Sequence, residues 1–193
     1  MRLEFLLEEA SAERALSVIL PKLLPQEVEF HLHPHSGRTH LLQQLTPKLS
    51  AYSRWLGEDD WVVVVCDRHR SDCQDLKQSI MNSACSANFR RVLVRIVVPE
   101  LESWFIGDLD AIERAFPRTK ASSLKRKARY LKPDSIPSPA HAIDLLLKRK
   151  GYPAGYPKVS GAEMIAPEMN PGSNSSHSFN VFLRGIERIT SQQ

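Results

Sequence analysis

The stretch RVLVRIVVPELESWFIGD, Arg91 to Asp108, decides the fold, together with WVVVVCDRHRSD, Trp61 to Asp72, the run it is built to meet. Each holds an apolar run that stops at acids: Val62 to Val65 leads to Asp67, and Val92 to Val98, interrupted only by Arg95, leads to Glu100 and Glu102. Strands that are apolar on both faces belong at the centre of a parallel sheet covered by helices, and such sheets take ligands at their carboxyl ends. A third, shorter run, Leu3 to Leu7, ends at Glu8. Carboxylates gathered at one sheet edge repel one another unless a cation lies between them, and a hard ion with oxygen ligands, Mg2+ or Mn2+, meets that need.

Working outward, Leu3 to Leu7 is followed by a helix expected from Ser11, read as its N-cap, to about Leu24, with Ala15, Leu16, Ile19, Leu20 and Leu23 on one face. Val28, Phe30 and Leu32 alternate with Glu29, His31 and His33, the period of a half-exposed strand nearer the sheet edge. The next helix, about His40 to Leu56, contains Pro47, which is expected to kink or divide it. A helix from Asp72 to Ala84 follows the DRHRSD turn, and Pro99 starts another through Trp104, Phe105 and Ile106. This alternation predicts an α/β fold with a largely parallel four-stranded sheet between helices.

Past Gly107 the strand signals stop. Asp108 to Phe116 reads as a short helix, Ala121 to Tyr130 as a strongly basic one, and Ala140 to Lys150 as a third. Residues 151 to 175 read as a long surface loop with one helical turn around Ala162 to Ala166, before a last helix capped by Ser176 or Ser178. The expected organisation is an α/β core over residues 1–110 with a C-terminal helical annex, 111–193, packed on it as a single domain.

Composition bounds the function. With 193 residues, 42% of them hydrophobic and 25% charged, the chain is neither disordered nor fibrous. Its net charge of +4 suits a polyanion such as nucleic acid without requiring one. Glu4, Glu8 and Glu9 interrupt the first apolar run, and no window of about 18 apolar residues exists, so neither a signal peptide nor a membrane span is expected. Cys66, Cys73 and Cys85 lack metal-site spacing and read as reduced thiols in a cytoplasmic protein.

Four pieces are specific enough to carry a resemblance: Leu7 to Glu13 (LEEASAE), Gly37 to Leu42 (GRTHLL), Val65 to Cys73 (VCDRHRSDC) and Arg95 to Asp108 (RIVVPELESWFIGD). With Gly161 to Pro167 and Ser176 to Arg184 they resemble, in order and over nearly the whole chain, the bacterial family catalogued as domain of unknown function 4276. That family is regarded as TOPRIM-like, akin to the topoisomerase-primase fold and to the nuclease half of the overcoming-lysogenization-defect proteins. Its members often lie beside genes for ATPases in phage-defence clusters, which implies an ATPase partner. By this resemblance Glu8 stands where the TOPRIM glutamate follows the first strand, and Asp67 begins the DxD motif, whose second acid is His69 here.

The chemistry such a site performs is phosphodiester cleavage. Acids hold one or two metal ions while leaving positions open for water and substrate, and a further glutamate moves the proton. In that scheme Glu8 and Asp67 are the catalytic pair, and Asp67, His69, Asp72, Glu100 and Glu102 surround the metal. Imidazole is a poor Mg2+ ligand but accepts Mn2+, so His69 alters or weakens the site, and Asp72 is placed to compensate. Arg68 and Arg70 flank the acids and are candidate phosphate contacts, as are Lys125, Arg126, Lys127 and Arg129 of the basic segment.

Plainer readings exist for each group: the acids as helix caps and a surface turn, the basic run as a solvated face. His31, His33 and His35 read as polar strand residues, Trp104 and Phe105 as core, and Ser176 to Ser178 as a helix cap rather than a nucleophile with its base. Two functions therefore stand at this point. One is a metal-dependent nuclease; the other is a catalytically silent subunit of an ATPase complex, binding a phosphate-bearing ligand or acting as an adaptor.

Overall fold

Each apolar run becomes a parallel strand because a helix follows it and returns the chain to the same end of the sheet. The computed structural model describes residues 1–69 and 71–191. Strands β1 (Arg2–Leu7), β2 (Glu29–Pro34), β3 (Trp61–Asp67) and β4 (Val92–Val97) form one sheet in the order β2-β1-β3-β4, parallel throughout. The alternating β2 is an edge strand, as its half-polar pattern requires, and the apolar β1 and β3 are central. Leu7 pairs with Val65 and Asp67 with Val97, which aligns the carboxyl ends of the three strands that lead to acids.

The helices are α1 (Ala10–Ile19), α2 (Arg38–Tyr52), α3 (Cys73–Ser86), α4 (Glu102–Ile106), α5 (Leu109–Ala115), α6 (Pro139–Arg149), α7 (Lys158–Ile165) and α8 (His177–Thr190). Because side chains alternate across a strand, the sheet feeds two cores. Phe5, Leu7, Val63, Val65, Leu93 and Val97 pack with α1 and α4 to α8, whereas Leu6, Val62, Val64, Cys66 and Val94 pack with α2 and α3. The connection from β1 to β2 thus lies on one face, and those from β2 to β3 and β3 to β4 on the other. The winding reverses between β1 and β3, and at such a switch point the diverging connections leave a crevice at the strands' carboxyl ends.

Trp104 is the largest fully buried side chain. Its ring lies 5.0 Å from the centroids of both Phe179 and Phe182, and its indole nitrogen donates to Ser178 Oγ at 3.1 Å. The cap at Ser176, accepting from Phe179 N–H, fixes the start of α8 so that these rings meet.

Several local expectations are corrected. Glu9, not Ser11, occupies the N-cap position of α1, and the helix gives way at Leu20 to a 3-10 turn containing Pro21. Pro47 does not divide α2: it and Gln43, whose carbonyl loses its usual partner, are both on the exposed side, open to solvent. The basic segment is not a helix but two 3-10 turns, Ala121–Leu124 and Ala128–Tyr130, separated by extended backbone at Lys127. Its consecutive cations repel, and no acid within residues 121–130 offsets them at helical spacing. The loop expected over 151–175 contains a helix of two turns, α7.

Candidate functional site

Glu8 is the first residue beyond β1, buried against the central strands. Its Oε2 accepts a hydrogen bond from Asp67 N–H at 3.0 Å, and its own N–H donates to the Val65 carbonyl at 3.3 Å. Asp67 closes β3 and is also buried. The chain then turns through His69, which adopts left-handed backbone (φ 47°), a region histidine tolerates better than most residues. Arg68 N–H to the Val97 carbonyl (2.7 Å) and His69 N–H to the Pro99 carbonyl (2.9 Å) hold that turn. The imidazole Nε2 consequently lies 3.1 Å from Glu8 Oε1 and 4.0 Å from Asp67 Oδ2.

Glu102, the first residue of α4, is fully buried. Among the described residues neither of its carboxylate oxygens has a hydrogen-bond partner. The Tyr156 hydroxyl donates instead to the Lys158 carbonyl, at 3.4 Å. Burial, with Glu102 alongside, pushes the Tyr156 phenol well above its usual range.

Among the described residues two cations, Arg38 and Lys158, act on these acids, and sequence reasoning assigned neither. Arg38 stands at the start of α2, after Gly37, whose φ of 94° favours glycine and whose N–H donates to the Glu8 carbonyl. From there the guanidinium bonds the Asp67 carbonyl and Ser71 Oγ and lies 3.8 Å from Glu8 Oε2. The only hint was Arg38 itself, the first helical residue after a strand and a Gly turn. Lys158 opens α7 and donates to Glu9 at 2.5 Å, across 149 positions of chain, and no local pattern announces such a contact. Burial works against its charge, yet Glu9, Glu102 and Asp67 hold its pKa above the usual lysine value.

The electrostatics record an excess of buried negative charge. Burial, then Glu8 and Glu102, raise the Asp67 carboxyl well above the ordinary range, with Lys158 opposing. Burial raises Glu102 to about 7, again against Lys158. Between the ordinary glutamate pKa and about 7 the folded protein therefore binds more protons than the unfolded chain, so this group makes stability fall as pH rises through that window. Glu102→Gln is expected to remove that slope, leaving the variant more stable than wild type by on the order of 3 kcal/mol at pH 7.5 and about equal to it near pH 4.5. Urea unfolding at several pH values checks this; parallel pH curves for the two proteins would contradict it.

Glu8, Asp67 and His69 are thus brought into mutual contact, Glu102 lies close enough for its charge to raise Asp67, and Asp72, Glu100 and Lys125 have other partners. Asp72 caps α3, its Oδ1 accepting from Gln74 N–H and Asp75 N–H. Glu100 accepts from Ala140 N–H at the first turn of α6, although its charge still raises Glu102. Arg68 Nε is enclosed without a partner among the described residues. Arg70 lies outside the described residues.

In the basic segment Lys125 pairs with Asp110, and Arg126 is exposed. Lys127 and Arg129 line a cleft of about 300 Å³ whose other wall carries Arg149 and Lys150. His33 bonds the buried Glu4, His35 Nδ1 meets the Leu7 carbonyl, and His31 is exposed.

Among the described residues no three His, Cys, Asp or Glu side chains surround one point closely enough to hold a metal as they stand. Their chemistry fits a hard cation nonetheless: Glu102 presents two buried oxygens with no hydrogen-bond partner among the described residues, and the charge of Asp67 is penalised by burial and by Glu8 and Glu102. A family model, described as Domain of unknown function (DUF4276), matches residues 7–187, which includes all four residues of the crevice. No curated protein and no solved structure matches the chain.

Proposed function

The chain belongs to the DUF4276 family, and we propose that it is a divalent-metal-dependent phosphodiesterase that cleaves nucleic acid at the crevice between β1 and β3. The observation that carries this reading is that acids at or just past the carboxyl ends of three different strands, Glu8, Asp67 and Glu102, are all buried and close enough for the other two to raise Asp67, while neither Glu102 oxygen has a hydrogen-bond partner among the described residues. Asp67 and Glu102 would hold Mg2+ or Mn2+, with His69 favouring Mn2+. Bound there, the ion supplies charge stabilisation to the phosphate and makes a coordinated water more acidic.

The protein groups divide the remaining work. Glu8 Oε2 is fixed by the Asp67 amide, so Oε1, which shares a hydrogen bond with His69, is the atom that takes a proton. Arg68, with its unpartnered Nε, meets the phosphate, and Arg38 holds the carboxyl end of β3 in place. Lys127 and Arg129 contact the backbone of a longer strand. Free Cys66, Cys73 and Cys85 suit a cytoplasmic setting, and no described helix is long and apolar enough to cross a membrane. An ATPase is the partner the family resemblance implies.

A second reading is favoured by three interactions: His69 is already hydrogen-bonded to Glu8, Arg38 lies near Glu8, and Lys158 opposes the charge around Asp67. In that reading the crevice is catalytically silent and the protein binds a phosphate-bearing ligand as the adaptor subunit of an ATPase. Incubation of supercoiled DNA and of single-stranded RNA with Mn2+, Mg2+ or EDTA separates the two. Cleavage faster in Mn2+ than in Mg2+ and none in EDTA is expected; no cleavage with either metal, with and without the ATPase, leaves only the silent reading.

A further inference from the structure

We infer that Arg95 of β4 and Arg184 and Arg188 of α8 form a second oxyanion site, one that takes a phosphate group on the outer edge of the sheet. β4 is the edge strand opposite β2, and Arg95 pairs with Val65, two residues back from the Val97–Asp67 pair. It points to the same face as Leu93 and Val97, where α8 packs. Gly185 makes the room: a Cβ there would come within 1.9 Å of Arg95 Nη2 and 2.3 Å of Nε, so the guanidinium lies directly on the helix backbone. Arg184 precedes that glycine and Arg188 stands one turn along the same helix, both exposed beside it.

Several other cations of the chain are paired: Arg2 with Glu29, Arg114 with Glu168, Lys125 with Asp110 and Lys158 with Glu9. Among the described residues none of Arg95, Arg184 and Arg188 forms an ion pair, although Glu187 is their neighbour on α8. Arg95 Nη1 donates to the Val94 carbonyl, its Nε is enclosed without a partner, and burial with the charges of Arg188 and Arg184 lowers its pKa. Like charges one helical turn apart weaken a helix, and a half-buried guanidinium without an acceptor adds to that cost. A tetrahedral phosphate offers several acceptor oxygens and two charges, and planar guanidinium forks match its geometry. The site is separate from the acidic crevice and does not depend on catalysis there.

The test uses the full chain in EDTA, which keeps divalent metal out of the crevice, with two probes: inorganic pyrophosphate, and a short fluorescein-labelled single strand of DNA. Calorimetry and anisotropy compare wild type with Arg184→Gln/Arg188→Gln, two exposed positions whose replacement leaves the core intact, and with Gly185→Ala, which displaces Arg95 while keeping its charge. The double variant is expected to bind at least one probe about tenfold or more weakly. Loss for the strand identifies a nucleic-acid backbone as the phosphate source, and loss for pyrophosphate alone identifies a free phosphate compound. Binding of both probes at wild-type strength by the double variant, or binding of neither by wild type at millimolar concentration, overturns the site.

Discussion

Asp67→Asn is expected to lower metal-dependent cleavage at least about a hundredfold while leaving the protein folded. The carboxylate is the terminal group of the central strand at the switch point, within reach of Glu8 through its own amide and of His69 through its side chain. If it holds the metal, its neutral isostere forfeits several kcal/mol of charge stabilisation, and each 1.36 kcal/mol is a factor of ten in rate. Stability moves the other way. Asp67 has a raised carboxyl pKa when folded, so its ionisation disfavours the native state as pH rises from the unfolded carboxylate range upward. Asparagine removes that penalty and preserves the backbone N–H to Glu8. The expected pair of results is therefore lost turnover with a thermal midpoint at pH 7.5 equal to or above that of wild type. A fully active Asp67→Asn protein would remove the nuclease proposal.

Trp104→Ala is expected to be the most destabilising single change in the core, by about 3–5 kcal/mol. The side chain is fully buried between Phe179 and Phe182, joins α4 to α8, and gives up its indole hydrogen bond to Ser178. For a chain of this size that corresponds to a fall in thermal midpoint of roughly 10 °C. Trp104→Phe keeps most of the packing and should lose much less, which separates the cavity from the missing hydrogen bond. Because α4 also starts with Glu102, the same variant should loosen the crevice. Denaturant unfolding measures the effect; a loss below about 1 kcal/mol would show that α8 does not depend on this contact.

What could be read from the letters followed from short-range pattern. Val62 to Val65 and Val92 to Val94 are apolar at every position, and only strands covered on both faces tolerate that, so the parallel sheet followed directly. The alternation of β2 placed it at an edge. The crevice itself was half legible. Glu8 and Asp67 end strands, and strand ends align in a parallel sheet, but Glu100 and Glu102 both follow the Pro99 turn and nothing in the local sequence tells which of them faces inward. The structure turns Glu102 in and gives Glu100 to the start of α6.

Asp72 illustrates a competition between two principles. An acid immediately before a helix serves the orphaned amides of its first turn, and that local use prevailed over the reach back toward Asp67. Arg38 and Lys158 were missed because their roles arise only when segments 29 and 149 positions from their partners come together. The basic segment was misjudged because charge density was read as a helical face, whereas repulsion among Lys125, Arg126 and Lys127 opposes the helix.

The claim beneath all of this is that the buried acids at the switch point share one cation. Crystals soaked in Mn2+ and measured at the manganese absorption edge test it without reference to any substrate. The account predicts an anomalous peak within about 2.5 Å of carboxylate oxygens of both Asp67 and Glu102, lost in Asp67→Asn. Anomalous density absent from the crevice at saturating Mn2+, or present only at unrelated surface acids, would contradict it.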